Sequence, residues 1–142
     1  MLGSISIGTA VVSYVTALVM FVAADMVWLG AMVPRFYRPM LGDLLAPTVN
    51  LHAALAFYAL YPLGLVIFAI APALKTQSFL VAIAYGALFG LFTYATYDLS
   101  NQATLRSWGT ELTLVDVAWG TVLGLVSSAF AFWVVARLFG LS

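Results

Sequence analysis

Three aspartates in apolar stretches are the residues of this chain best suited to chemistry. Asp25 lies inside the apolar run from Ile5 to Val33, while Asp98 and Asp116 each lie near the end of another such run. A carboxylate at the centre of a membrane-spanning helix costs roughly 2.5–3.5 kcal/mol on insertion scales, so such residues usually have a partner, a water-filled cavity or a function. We therefore interpret the three aspartates as one candidate site, able to carry a proton or to bind a cation or an organic amine.

A tryptophan or an amide follows each aspartate at a spacing of three residues, which places the two side chains on neighbouring faces of a helix. The pairs are Asp25 with Trp28, Asp98 with Asn101, and Asp116 with Trp119. An indole N–H can donate to a carboxylate, and the ring can wall a pocket or receive a cation. The other candidate ligand-binding or proton-carrying residues are His52, Tyr58, Tyr61, Tyr94 and Tyr97.

Two of the aspartates also fit structural roles. Thr113-x-x-Asp116 resembles a capping box at the start of the fourth helix, and Asp98 fits an interfacial, water-exposed acid. Asp25 has no capping role, so we interpret it as functional or as part of a buried structural pair.

The tryptophans and the histidine have alternatives as well. Trp28, Trp108 and Trp119 fit an interfacial aromatic belt, and His52 fits a polar residue at a helix start. His52 is the single histidine, and no sequence motif provides the partners that a hydrolase triad or a metal site needs. We therefore predict no metal site, and the sequence names no cofactor.

The elements that must position these residues are transmembrane helices. Of the 142 residues, 65% are hydrophobic and only 7% are charged, whereas soluble domains have about 25% charged residues. Four apolar runs reach the roughly 17–25 residues that cross a bilayer, and the predicted helices cover about residues 5–33, 51–71, 78–98 and 112–137. Pro34 is predicted to end the first helix, and the second is predicted to stop before Pro72. The sequence thus predicts an all-α polytopic membrane protein: one domain, residues 1–142, folded as an antiparallel bundle of four transmembrane helices.

Composition excludes several functional classes. The formal net charge is zero and there is no basic patch, so nucleic acid is not an expected partner. The absence of cysteine excludes disulfides and thiolate metal sites. The first apolar run is too long for a signal peptide and lacks a basic start, so we expect an uncleaved helix.

Counting the helices assigns the polar residues to one side of the membrane. We define face A as the side of the first and third loops, and face B as the side of both termini and the second loop. All three aspartates and His52 lie toward face A. Face A has three arginines against two basic residues on face B, a small bias that favours a cytoplasmic face A.

Two glycine motifs predict how the helices pack. Gly86-x-x-x-Gly90 lies in the third helix and Gly120-x-x-x-Gly124 in the fourth. Small residues at this spacing allow close helix approach in lipid, so we predict a tight hairpin that brings Asp98 and Asp116 together. Alternatively, one motif drives homodimerisation.

Five ordered segments carry a resemblance to a known family. They are Asp25-Met-Val-Trp28-Leu-Gly30, Phe57-Tyr58-x-x-Tyr61, Gly86-x-x-x-Gly90, Tyr94-Ala-Thr-Tyr97-Asp98-Leu-Ser-Asn101 and Thr113-x-x-Asp116-x-x-Trp119-Gly120. With these segments, nearly the whole chain resembles the domain-of-unknown-function 2177 family of small bacterial inner-membrane proteins. The resemblance implies a multi-pass protein with four helices and implies no activity.

Three functional hypotheses follow. The first is a protein whose acidic, aromatic pocket near face A binds or carries a small amphipathic or cationic molecule, with proton coupling through the aspartates. The second is an intramembrane enzyme, or enzyme subunit, acting on lipid or isoprenoid. The third is a structural subunit of a membrane complex. The expected partners are the lipid bilayer and a small-molecule or lipid ligand.

Overall fold

The computed structural model describes residues 4–141, which form four long helices and no strand. Each helix is long and apolar enough to cross a membrane: α1 Ile7–Leu44, α2 Leu51–Thr76, α3 Phe79–Thr104 and α4 Thr110–Phe139. The short connections make successive helices antiparallel. The predicted fold class is confirmed, and the chain is a multi-pass membrane protein.

Polar side chains define where three of the helices begin. The side chains of Ser6, Asn50 and Ser78 accept hydrogen bonds from backbone N–H groups in the first turns of α1, α2 and α3. Such caps satisfy donors that have no partner within the helix. α4 follows Gly109 without a side-chain cap and ends at Gly140, whose left-handed conformation stops the helix.

α1 continues past the proline that was predicted to end it. The regular helix Ile7–Met32 is followed by a π-helical turn, Val33–Tyr37, then by an α-helical turn, Arg38–Leu41, and a 3₁₀ turn that ends at Leu44. The wider π turn accommodates Pro34, whose ring would clash with the preceding turn of a regular α-helix. The regular α-helix thus ends at Met32, close to the predicted bound, but Pro34 does not end the helical segment, which continues to Leu44.

The other helices also reach further than the hydrophobicity pattern indicated. A π turn, Val66–Ile70, lets α2 pass Pro72 and continue to Thr76. Since α3 ends at Thr104 and α4 begins at Thr110, Asp98 and Asp116 each lie six residues inside their helices. At 1.5 Å per residue, that is roughly 9 Å from the helix ends.

Glycines bring α3 and α4 into backbone contact. A Cβ atom at Gly90 would overlap the carbonyl oxygen of Gly120, and one at Gly124 would overlap the carbonyl oxygen of Gly86. The hydroxyl of Ser128 donates across the same interface to the carbonyl of Ala82 at 2.7 Å. α4 packs against α1 on its other side, so it is the central helix of the bundle.

α2 packs firmly only through its second half. Buried residues of this half, such as Leu65 and Ile70, belong to the hydrophobic core. From Leu51 to Leu60, by contrast, every residue is exposed except Ala54 and Tyr58, which are half-buried. The first half of α2 therefore lies at the edge of the bundle.

Candidate functional site

Asp25 is a buried carboxylate with a hydrogen-bond donor for each oxygen. The hydroxyl of Tyr58 donates to Oδ2 at 2.6 Å, and the indole Nε1 of Trp119 donates to Oδ1 at 3.1 Å. The side chain is only 5% exposed. These three residues, here called the Asp25 centre, join α1, α2 and α4. The two donors offset part of the cost of burying the charge.

Asp98 and Asp116 form a second acidic group between α3 and α4. Their carboxyl groups lie side by side, and we call them the acidic pair. Asp98 has no exposed surface, and no donor among residues 4–141 reaches either of its oxygens. Asp116 is half-buried and accepts a hydrogen bond from the hydroxyl of Tyr37, which lies in the π turn of α1. The acidic pair thus has fewer donors than its four oxygens can use.

Two stacked indoles connect the Asp25 centre to the acidic pair. The rings of Trp28 and Trp119 are parallel within 2°, with centroids 4.4 Å apart. Nε1 of Trp28 donates to the hydroxyl of Tyr37 at 3.0 Å, and Tyr37 in turn donates to Asp116. A continuous set of contacts therefore runs from Tyr58 on α2 to the acidic pair.

An aromatic groove of about 280 Å³ lies between α2 and α3. Its lining residues are Phe57, Tyr61, Thr93, Tyr94 and Tyr97. Tyr94 lies one helical turn from Asp98, and its ring covers Gly120, where a Cβ atom would overlap it. The hydroxyl of Tyr61 lies 3.0 Å from that of Thr93, and the Tyr61 ring stacks on Phe21 at 4.7 Å. The groove therefore comes within one helical turn of Asp98 at Tyr94, and neither member of the acidic pair lines it.

Comparison with known proteins identifies the family. The model of a predicted membrane protein family, DUF2177, matches residues 10–133. The matched range contains the Asp25 centre, the acidic pair and the aromatic groove. This chain belongs to DUF2177. Neither the curated proteins nor the solved structures contain a significant match to it.

The remaining predicted site residues of this DUF2177 member lie at the edges of the site. His52 is exposed in the first turn of α2, outside the set of contacts described above. Asn101 is half-buried, one turn beyond Asp98, and Tyr97 is 56% exposed and packs edge-on against Trp108. Within residues 4–141, no three His, Cys, Asp or Glu side chains are grouped closely enough to hold a metal ion.

Two structural alternatives for the aspartates are wrong. Asp116 is not part of a capping box, because α4 begins at Thr110 and the Thr113 hydroxyl accepts a hydrogen bond from Nε1 of Trp108 at 3.2 Å. Asp98 is not an interfacial, water-exposed acid, because it is fully buried. Neither role applies because the helices extend further than the apolar runs.

Tyr37 is the residue of this DUF2177 site that sequence reasoning missed. The predicted helix bounds place it in the loop after Pro34, whereas the π turn places its buried side chain between Trp28 and Asp116. A π turn adds a residue and changes the helical register, so no regular spacing in the sequence indicates this position.

Proposed function

We propose that this membrane protein binds or carries a small amphipathic molecule with an amine headgroup. The acidic pair holds the positively charged amine, and the aromatic groove holds the apolar part. The observation that supports this proposal is Asp98, a fully buried carboxyl group without a donor among residues 4–141. Unpaired buried acids are costly, and their retention within a membrane-spanning helix is typical of functional sites.

A primary ammonium matches the acidic pair in both charge and hydrogen bonding. It brings a positive charge and three N–H donors. Asp98 offers two oxygens and Asp116 offers the one that Tyr37 does not occupy. Tyrosine rings beside the carboxylates can also stabilise a cation through their faces. An uncharged alcohol of the same length lacks the charge and two of the donors.

Proton coupling is part of this proposal. Two adjacent carboxyl groups can share a hydrogen bond only when one of them carries a proton. An arriving ammonium takes over that role and releases the proton. The Asp25 centre has a different task, because its two donors already satisfy it: it positions Trp119 and, through the stacked indoles, Trp28 and Tyr37.

Thermal unfolding with an added alkylamine tests the proposal. Dodecylamine should raise the unfolding temperature of the wild-type protein in mild detergent, and dodecanol should not. Asp98→Asn should abolish the shift, whereas Asp43→Asn, which changes an exposed acid in the face-A segment, should preserve it. An equal shift in Asp98→Asn would exclude the acidic pair as the amine site. If the protein is a carrier, dodecylamine added outside should drive protons out of wild-type proteoliposomes faster than out of Asp98→Asn proteoliposomes.

A second candidate is an intramembrane enzyme, or enzyme subunit, that acts on lipid or isoprenoid. The hydrogen bond from Tyr37 to Asp116 favours it, because a hydroxyl and two carboxyl groups beside an apolar groove can exchange protons with a substrate. Deletion of the gene should then change the lipid composition of the cells. The wild-type gene should restore that composition, and the Asp98→Asn and Asp116→Asn variants should not. An unchanged lipid composition across growth conditions contradicts this candidate.

The location and assembly of the protein also belong to this proposal. We expect the protein in the bacterial inner membrane. We expect face A to be cytoplasmic, because the small excess of basic residues on that face favours this orientation. Homodimerisation remains a prediction, and both glycine motifs already serve the contact between α3 and α4 within one chain.

A further inference from the structure

The acidic pair is covered on its water-facing side. The connection between α3 and α4 lies above it, and in this connection Trp108 packs against Tyr97 and donates to Thr113. Beside it, Nε2 of Gln102 donates to the hydroxyl of Thr110 at 2.8 Å. A Cβ atom added at Gly109 would lie 3.8 Å from the side chain of Met40, so the end of α1 lies close to this connection. These contacts tie together the face-A ends of α1, α3 and α4, and Asp98 beneath them has no exposed surface.

The groove side of the site is open by comparison. Phe57 and Tyr97 form its two edges and are 39% and 56% exposed. Phe57 lies six residues after the start of α2 at Leu51, and Tyr97 lies seven residues before the end of α3 at Thr104. At 1.5 Å per residue, the two edges lie about 9 and 10.5 Å inside the helix ends. The mouth of the groove therefore faces the bilayer rather than the aqueous loops.

The first half of α2, up to Leu60, is joined to the rest of the bundle less tightly than Tyr61 and the residues that follow it. Pro62 cannot donate to the carbonyl of Tyr58, and the π turn Val66–Ile70 follows, so the helix is weakened between its two halves. In the first half, two hydrogen bonds connect to α1: Tyr58 to Asp25, and the hydroxyl of Tyr14 to the carbonyl of Ala59 at 2.9 Å. No such hydrogen bond joins residues 51–60 to α3 within residues 4–141.

From these observations we propose that the ligand enters from the bilayer, through the aromatic groove between the first half of α2 and α3. The ligand is then an amphipathic amine dissolved in the membrane, with its chain in lipid and its headgroup drawn inward to the acidic pair. A short, water-soluble amine such as butylamine lacks this route. The identity of the site rests on the proposed function, whereas the route rests on the groove alone.

Accessibility of single spin labels tests the route without any ligand. Because the chain has no cysteine, one introduced thiol is labelled selectively. In nanodiscs, a label at Tyr97→Cys should collide mainly with oxygen, which concentrates in lipid, as should a label at the lipid-facing control Phe68→Cys. A label at Ser107→Cys, in the exposed face-A loop, should collide mainly with a water-soluble nickel complex. A Tyr97→Cys label that behaves like the one at Ser107→Cys would overturn the lateral route.

Closing the groove tests the route with a probe. A short bis-maleimide bridge between Phe57→Cys and Tyr97→Cys should reduce binding of a photoreactive dodecylamine more than tenfold relative to the same protein before cross-linking. The matched control, Leu18→Cys with Leu55→Cys, bridges the groove between α1 and α2 and should leave binding unchanged. Binding that survives the first bridge overturns the lateral route and leaves the proposed function standing. If the protein does not bind the amine before cross-linking, the proposed function fails, and the spin labels still test the route.

Discussion

The Asp25 centre and the acidic pair contain the same residue type in the same part of the membrane, yet their surroundings differ. Both oxygens of Asp25 accept hydrogen bonds from donors on two other helices. Asp98 is more deeply buried and has no donor among residues 4–141. Burial of an acid is therefore a weak guide to function by itself. Under the proposed function, the balance between acceptors and available donors separates Asp25, a structural aspartate, from Asp98, which we propose binds a ligand.

The packing of the helices explains the difference. Asp25 faces neighbours with large side chains, so a tyrosine and a tryptophan can reach it. Asp98 and Asp116 lie on two helices that glycines hold in backbone contact, which places the two carboxyl groups against each other. The close contact that brings the acids together thus leaves Asp98 without a hydroxyl, amide or indole donor in the described part of the chain.

The largest effect on stability should come from breaking the contact on which the acidic pair depends. Gly90→Ala places a methyl group against the carbonyl of Gly120, and we expect a loss of about 3 kcal/mol in the free energy of unfolding. Gly30→Ala, a control with no atom within 4 Å of the added Cβ, should cause no loss. Unfolding in mixed micelles measures both variants. Equal stability of the two would contradict the assigned glycine contact.

A smaller loss should follow removal of the Asp25 carboxylate. Asp25→Leu leaves the hydroxyl of Tyr58 and the indole N–H of Trp119 without an acceptor, so we expect a loss of about 2 kcal/mol. Asp25→Asn should lose much less, because its oxygen can accept from Trp119 while its amide donates to Tyr58. Unfolding in mixed micelles measures both Asp25 variants. If both substitutions have the same effect, hydrogen bonding is not what Asp25 contributes.

Tyr37→Phe should cost about 1 kcal/mol, since it removes both a donor to Asp116 and an acceptor for Trp28. The loss should be accompanied by a change in tryptophan fluorescence, because the indole of Trp28 loses its partner. Tyr85→Phe is a matched control on the lipid-facing side of α3. A similar change in fluorescence in both variants would contradict the link through Tyr37.

The smallest effect on stability should be that of Asp98→Leu, despite the complete burial of this side chain. Apart from a proton shared with Asp116, the carboxyl group that is removed has no donor among residues 4–141, so the free energy of unfolding should change by less than about 1 kcal/mol or increase. Dodecylamine should no longer raise its unfolding temperature. A loss as large as that of Asp25→Leu would remove the distinction between the two acidic groups.

Much of the fold could be predicted from the sequence, because the bilayer restricts the choice of structure. Runs of apolar residues indicate helices, and counting them assigns the aspartates to face A. The ends of the helices could not be predicted in this way, because hydrophobicity does not mark where hydrogen bonding stops. Pro34 and Pro72 illustrate the difficulty, since each is accommodated next to or within a π turn and the helix continues.

The residue types of the site could be predicted from the sequence, but most of the contacts between these residues could not. The sequence by itself determined four membrane-spanning helices and three acids toward one face, because hydrophobicity and chain direction are properties of the chain alone. It also made Asp25 the most conspicuous acid, since Asp25 lies furthest inside an apolar run. Only the tertiary structure decided that Asp25 accepts hydrogen bonds from two donors and that Asp98 accepts none from the residues that the structure describes. Hydrogen bonds between helices depend on which side chains meet across an interface, and residues as distant in sequence as Asp25 and Trp119 meet only in the folded bundle.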